Sequence, residues 1–222
     1  MPACYFDVDG TLVRTNLVHP TLFYLINQAT PGRTLGRLAR ALLDAPRLAF
    51  AELRDRRLFN EALYQHFQGM TEDRLLSLAD EAYEKVLRPA IFPNARELVA
   101  RCRAEGHEVV LLSGALDFLM ERLARDLEAD AVIANRLEFM RGAATGRMIP
   151  PVVAGPAKAL LLRDHARRRG HDLEGCHAFS DSYSDVPMLS VVGHASAVNP
   201  DAALERLARA HSWPVLYLDR SP

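Results

Sequence analysis

The segment Asp7-Val8-Asp9-Gly10-Thr11-Leu12 places two carboxylates directly after the short apolar run Ala3-Cys4-Tyr5-Phe6. A run of that kind reads as a buried strand, over residues 3–8, with the acids at its end. Side chains at i and i+2 of a strand share a face, which would bring Asp7 and Asp9 together if the strand continued; Gly10 and Thr11 instead predict that the chain turns out of the sheet. Two like charges about 4 Å apart repel by about 4 kcal/mol at an effective dielectric near 20. The pair therefore calls for a cation, a proton or separation, and a divalent metal is the natural remedy. A bare Asp-x-Asp also fits an exposed turn or a helix N-cap, and later segments decide between these readings.

Val109-Val110-Leu111-Leu112 is a second apolar run, and it ends in Ser113-Gly114. Lys158 follows Gly155-Pro156-Ala157 and precedes the helical run Ala159-Leu160-Leu161-Leu162. A further pair of carboxylates, Asp181 and Asp185, closes another short strand in Phe179-Ser180-Asp181-Ser182-Tyr183-Ser184-Asp185-Val186-Pro187-Met188-Leu189. The lysine is informative because Lys85 and Lys158 are the only lysines among 27 basic residues. An ammonium is a compact point charge and a guanidinium a planar fork, so the two are not interchangeable where a cation must meet a carboxylate at one point.

Taken in order, the Asp-x-Asp-Gly-Thr, Ser-Gly, Lys and Ser-Asp-Ser-x-Ser-Asp segments resemble the four motifs of the haloacid dehalogenase-like hydrolases, and the resemblance spans nearly the whole chain. Within that superfamily the chain is most similar to the phosphoserine-phosphatase-like branch, whose members carry a helical cap between the first and second motifs. Ala134-Asn135-Arg136-Leu137-Glu138, with Gly142 and Thr145-Gly146-Arg147, is similar to the strand pair of that branch. The resemblance implies an α/β fold: a doubly wound, Rossmann-like parallel sheet over residues 1–15 and 89–222, with an inserted helical-bundle cap over 16–88.

It also implies chemistry. Asp7 would be the nucleophile that takes the phosphoryl group, and Asp9 the acid for the leaving oxygen and then the base for water. Dehalogenating relatives do not carry that second aspartate. Mg2+ would be held by the Asp7 carboxylate, the Asp9 carbonyl and Asp181, with Asp185 acting behind it or through water. Ser113, the Gly114 amide and Lys158 would bind the phosphate. Four carboxylates against one magnesium and one lysine leave a net −1, so an anionic ester needs those amide donors. Two departures from the branch stand out, Ser180 where a glycine is common and Ser184 where an asparagine is common.

The expected activity is thus a magnesium-dependent phosphomonoesterase acting on a small or medium-sized organic phosphate. Phosphoserine phosphatase proper is the alternative within enzymes; a non-catalytic phosphate-binding module is the alternative outside them. A lipid-like substrate is a third option, motivated by Leu22, Phe23, Tyr24 and Leu25. In phosphoserine phosphatases a glutamate nine residues after the nucleophile meets the substrate ammonium; counting from Asp7 that position is Asn16, with Glu52 as another acid in the cap. Arg56 and Arg57 are the basic cap candidates for a substrate carboxylate or phosphate.

The elements that must position these groups follow from the pattern. Residues 17–88 read as helical, with breaks at Pro20, Pro31-Gly32, Pro46 and Gly69 and an N-cap at Thr71. Phe50, Leu53, Phe59, Leu63 and Phe67 stand at helical spacing as the cap's own core. Helix and strand then alternate to the end of the chain, which predicts a parallel sheet whose carboxyl ends carry all four motifs. With 222 residues, 49% of them apolar, and a net charge of −1, the chain suits a core with an inserted unit, and its net charge implies neither a polyanion such as nucleic acid nor an anionic membrane as a bulk partner. Cys4, Cys102 and Cys176 are too few and too scattered for a disulfide scaffold, and no apolar run is long enough to span a membrane, so a cytoplasmic location is expected. His171, Cys176 and His177 fit no zinc spacing. Oligomeric state is not readable from this pattern.

Overall fold

The structure, a computed structural model, describes residues 2–27 and 31–219. Strands β1 (Ala3–Phe6), β2 (Glu108–Leu116), β3 (Ala131–Asn135), β6 (His177–Ser180), β7 (His194–Val198) and β8 (Val215–Leu216) form one sheet, and β4 (Leu137–Met140) pairs with β5 (Ala143–Met148) as a separate hairpin. The sheet order is β3-β2-β1-β6-β7-β8 and every pairing within it is parallel. A parallel sheet is covered on both faces, so its strands are apolar throughout rather than alternating. The alternation survives only in which core each residue joins. Cys4, Phe6, Val109 and Leu111 pack on one side, Ala3, Tyr5, Val110 and Leu112 on the other.

The direction of winding reverses between β1 and β6, which opens a crevice at the carboxyl ends of those strands. Helices α5 (Ala95–Ala104), α6 (Asp117–Leu127), α7 (Pro156–Arg169), α8 (Val186–Leu189) and α9 (Ala202–Ala210) supply the crossovers, after α1–α4 described below. Several boundaries differ from the sequence reading. The first strand ends at Phe6, and β2 continues through Ser113 and Gly114 to Leu116, with its register to β3 shifting after Ser113. Lys158 lies in the first turn of α7 rather than at a strand end.

Between β1 and β2 run α1 (Val18–Ile26), α2 (Pro31–Arg54), α3 (Arg56–Tyr64) and α4 (Glu72–Ala82). Pro46 does not break the chain, because α2 is one 24-residue helix through it. Its ring sits on the exposed side, although it still removes one helix hydrogen bond. The break comes instead at Asp55, extended at φ −162°, whose carboxylate accepts from the Arg57 N–H at 2.7 Å and caps α3. Thr71 caps α4 in the same manner, as its sequence predicts. Phe59, Leu63 and Phe67 are buried as expected, but Phe50 is 63% exposed, and Leu53 lies outside the described side chains. Of the apolar set at the start of the cap, Tyr24 and Leu25 are buried in the core, whereas Leu22 is exposed.

The β4–β5 turn has Arg141 and Gly142 both at positive φ, the geometry of a two-residue hairpin. The hairpin is tied to the helices by reciprocal bonds, Gly69 N–H to the Ala144 carbonyl and Ala144 N–H to that of Met70, each 2.8 Å. Gly146 allows this approach, since a Cβ there would lie 3.1 to 3.3 Å from Gln65 and Gln68.

Candidate active site

Asp7 leaves β1 with its N–H on the Phe179 carbonyl of β6 at 2.9 Å, so the sheet itself aims its carboxylate into the crevice. The chain then turns sharply: Gly10 N–H bonds the Val13 carbonyl at 2.8 Å and Leu12 N–H that of Val8 at 2.9 Å. Gly10 stands at φ +85°, and a Cβ there would meet Asp181 Oδ2 at 2.1 Å. Only glycine meets both conditions.

Lys158 Nζ donates to Asp7 Oδ1 and to Asp185 Oδ2, each at 2.6 Å, and all three side chains are buried. Ser180 Oγ donates to the same Asp185 oxygen at 2.8 Å, so the serine that departs from the branch pattern is absorbed as a partner of Asp185. On the other side of Asp7, Thr11 Oγ1 lies 3.0 Å from Asp7 Oδ2 and 3.2 Å from Asp181 Oδ1, and it accepts the Asp181 N–H at 3.0 Å. One hydroxyl proton serves the two carboxylates in turn. Sequence reasoning gave Thr11 no such role, although its place in the motif was the available signal.

The charge state follows from this crowding. Burial, then the Asp7 charge, pushes Asp9 up to about 7, against the pull of Lys158 and a 3.3 Å hydrogen bond from Ser113 Oγ. Burial and the charges of Asp7 and Asp185 push Asp181 up to about 8. Asp185 is also raised, chiefly by burial, with Lys158 opposing. Burial works against the Lys158 charge, yet Asp185 and Asp7 outweigh it and hold the ammonium above its ordinary range.

Four carboxylates thus share one crevice with a single lysine, and every side chain there that could face a cation offers oxygen. That donor set suits a hard divalent ion. Asp7 and Asp181, joined through Thr11, are side chains that could hold it.

The helices between β1 and β2 close one side of the crevice. Arg56, Asn60 and Tyr64 recur at i, i+4 and i+8 of α3, so they share one face. Arg56 and Asn60 line the crevice beside Asp9 and Gly114, together with Leu17. Tyr64 Oη donates to the Gly114 carbonyl at 2.9 Å. Asn135 Nδ2 donates to that same carbonyl at 2.8 Å while its Oδ1 accepts the Val153 N–H at 2.8 Å. A Cβ on Gly114 would lie 2.9 Å from the Asn60 amide, which explains the glycine. Asn60, Tyr64 and Asn135 were missed as site residues. The i, i+4 relation of Asn60 to Arg56 was the readable signal for the first of them.

Two cap candidates do not reach the crevice. Asn16 is exposed and its Oδ1 accepts the Val18 N–H at 3.1 Å, so it serves the start of α1. Arg57 is 66% exposed and pairs with Glu61 at 2.8 Å, one turn along the helix surface. The side chain of Glu52 lies outside the described residues.

A model of the haloacid dehalogenase-like hydrolases matches residues 4–190, which include every motif residue above. The chain belongs to that family. Phosphoserine phosphatase SerB1 of Mycobacterium tuberculosis is 32% identical over 214 residues, which cover 96% of this chain and 70% of that protein. Among solved structures, a Bordetella pertussis Tohama I protein with unknown function superposes with a TM-score of 0.84 at 23% identity and covers 98% of each chain. A substrate-bound phosphoserine phosphatase superposes with a TM-score of 0.71 at 17% identity, covering 99% of this chain and 93% of its own. The chain thus shares its α/β fold, built on a parallel sheet, with these structures, as the sequence implied.

A second titratable group gathers at the opposite end of the sheet. Glu108, at the start of β2, accepts from Arg169 at 2.7 and 3.0 Å and pairs with His171; His165 stands beside them with its Nδ1 3.1 Å from Tyr5 Oη. Arg169 thereby gives the basic end of α7 a definite buried partner. The Arg169 guanidinium, itself largely exposed, contacts both oxygens of the buried Glu108, and His171 meets one of them, so the carboxylate is already engaged.

Proposed function

We propose that the protein is a magnesium-dependent phosphomonoesterase working through an aspartyl phosphate on Asp7. The observation that carries this reading is the unequal environment of the two first-motif acids. Asp7 is fixed between Lys158 and Thr11 at 2.6 and 3.0 Å, whereas Asp9 titrates near neutrality at about 7. A fixed nucleophile beside a proton-bearing acid is what ester hydrolysis at neutral pH requires.

Asp7 attacks phosphorus, the ester P–O bond breaks, and Asp9 gives its proton to the departing oxygen. Asp9, now a carboxylate, takes a proton from water, which attacks the aspartyl phosphate and releases inorganic phosphate with Asp7 restored. Ser113 Oγ, the Gly114 N–H and Lys158 Nζ neutralise the phosphoryl oxygens. Asp7, the Asp9 carbonyl and Asp181 would hold magnesium, which supplies charge neutralisation for the phosphoryl group. Asp185 keeps Lys158 in place.

Residues 16–88 act as the cap over a core of 1–15 and 89–222, and Arg56 and Asn60 reach the crevice from it. Their cationic and amide character favours a small or medium-sized ester with a second anionic or polar group over one that carries an ammonium. Phosphoserine is the second reading, favoured by the activity named for the mycobacterial relative. A panel of phosphorylated metabolites, assayed with magnesium and with chelator, tests both. Absence of magnesium-dependent turnover on every member refutes the first reading, and phosphoserine as the best substrate establishes the second.

A further inference from the structure

Helix α2 has two apolar faces, and only one of them is covered. Leu38, Ala41, Leu48 and Ala51 turn inward and pack on the core. Leu35, Leu42, Leu43 and Phe50 turn outward and are 71%, 75%, 82% and 63% exposed. At roughly 100° per residue these four fall within an arc of about 100°, into which the exposed Ala39 and Pro46 also fall, with the exposed Ala49 about 20° beyond its edge. Isolated surface leucines need no explanation, but a continuous stripe along one helix does.

Among the described residues, the charge beside the stripe is of one sign. Arg40, Arg47 and Arg54 are exposed and recur every seven residues, which sets them in a row along one border of the apolar arc. The Arg54 guanidinium lies 5.9 Å from the Phe50 ring, so the cation and the apolar surface are contiguous. Asp44 does not offset this row, because it turns inward to within 3.7 Å of His66 Nε2. An exposed apolar arc edged by arginines is the pattern of a helix lying in a lipid interface, with the stems along the acyl boundary and the cations at the phosphates. A second copy of the chain would bring a like-charged row to the same contact. No described helix is long and apolar enough to cross a membrane, so α2 would lie on the surface.

We propose that α2 docks the protein on an anionic bilayer, with Leu35, Leu42, Leu43 and Phe50 below the headgroups and Arg40, Arg47 and Arg54 at the phosphate level. The full chain is sedimented with vesicles of phosphatidylcholine alone and with vesicles containing phosphatidylglycerol, at low and physiological salt. Binding is expected to the anionic vesicles and to weaken with salt. Replacing Arg40, Arg47 and Arg54 together by Gln lowers that binding by about fivefold per arginine, or about a hundredfold. Leu43→Glu with Phe50→Glu lowers it at least tenfold, while the melting temperature and turnover of a soluble aryl phosphate stay unchanged because these residues lie away from the crevice. Wild-type protein that binds neither vesicle, or binds both equally, overturns the proposal. So does a solution dimer that Leu43→Glu converts to monomers, since a second copy then covers the stripe.

Discussion

Lys158 is the most exacting single test of the site, because one buried ammonium sits 2.6 Å from both Asp7 and Asp185. Lys158→Met keeps the length of the side chain and removes the charge. Breaking a buried ion pair by deleting one partner costs about 3–5 kcal/mol, and here the cation serves two carboxylates, so the upper end, about 5 kcal/mol, is expected. That is a large part of the 5–15 kcal/mol typical of a domain. The loss depends on pH with a definite sign. The carboxyls of Asp181 and Asp185 are raised in the folded state, so the native form binds more protons than the unfolded one above about pH 4, and stability falls as pH rises. Urea titrations in the presence of chelator at pH 5 and pH 8 measure this, and the difference between variant and wild type is expected to be several kcal/mol larger at pH 8. Lys158→Arg separates charge from shape. It restores much of the stability at pH 8 but leaves turnover within about tenfold of the Met variant, because a planar guanidinium cannot seat its charge at one point between two oxygens. Near wild-type turnover in the Arg variant, or equal losses for Met at both pH values, refutes this account of Lys158.

Asp7→Asn abolishes turnover while the melting temperature in chelator holds or rises, since the change removes the nucleophile and one of several crowded like charges. Asp9→Asn slows hydrolysis of alkyl phosphates by about 10²–10⁴ but affects phosphoryl transfer from a good aryl leaving group far less; equal losses in single-turnover assays rule out the acid role. In the wild type the rate of that step for an alkyl ester falls as pH rises through about 7, where Asp9 gives up its proton. Magnesium raises the melting temperature more at pH 8 than at pH 5, because Asp181, with its carboxyl near 8, must lose a proton to bind it; a pH-independent shift contradicts Asp181 as a ligand. L-phosphoserine is a poor substrate relative to some other ester, and Arg56→Ala raises KM for the best ester by about tenfold, the loss of one charge-assisted hydrogen bond, with kcat little changed. Asn16→Glu leaves the phosphoserine rate unaltered, since that side chain is occupied with the Val18 N–H.

Most of the legible part of the site is held by strand ends; Lys158, in the first turn of α7, stood out instead by its rarity among 27 basic residues. Asp7 and Asp181 leave the neighbouring strands β1 and β6, and Ser113 lies in β2 on the other side of β1. An apolar run closed by a polar side chain already implies where such a group emerges. What was not legible lies largely on helices, where a shift of one residue turns a side chain by about 100°; Asn135, on β3, was missed because its partners Gly114 and Val153 are distant in sequence. Arg56 and Arg57 are neighbours of the same type, yet one lines the crevice and the other pairs with Glu61. The face is settled by Phe59 and Leu63, buried beside Asn60, and not by the arginines themselves. Asn16 failed for a related reason. A count of nine from the nucleophile assumes one loop length, and here it is the next residue, Leu17, that reaches the crevice. Phe50 shows the same limit in reverse, because helical spacing says that a residue shares a face with its neighbours but not whether that face is covered. Glu108, His165 and His171 meet only because β2 begins beside the end of α7, a long-range contact that no local pattern encodes. Reaction chemistry here is thus written in local motifs at strand ends and at the start of α7, whereas substrate choice depends on which helix faces tertiary packing turns inward. Changes at Arg56 and Asn60 should accordingly alter which ester is hydrolysed, while changes at Asp7, Asp9 and Lys158 alter whether any is.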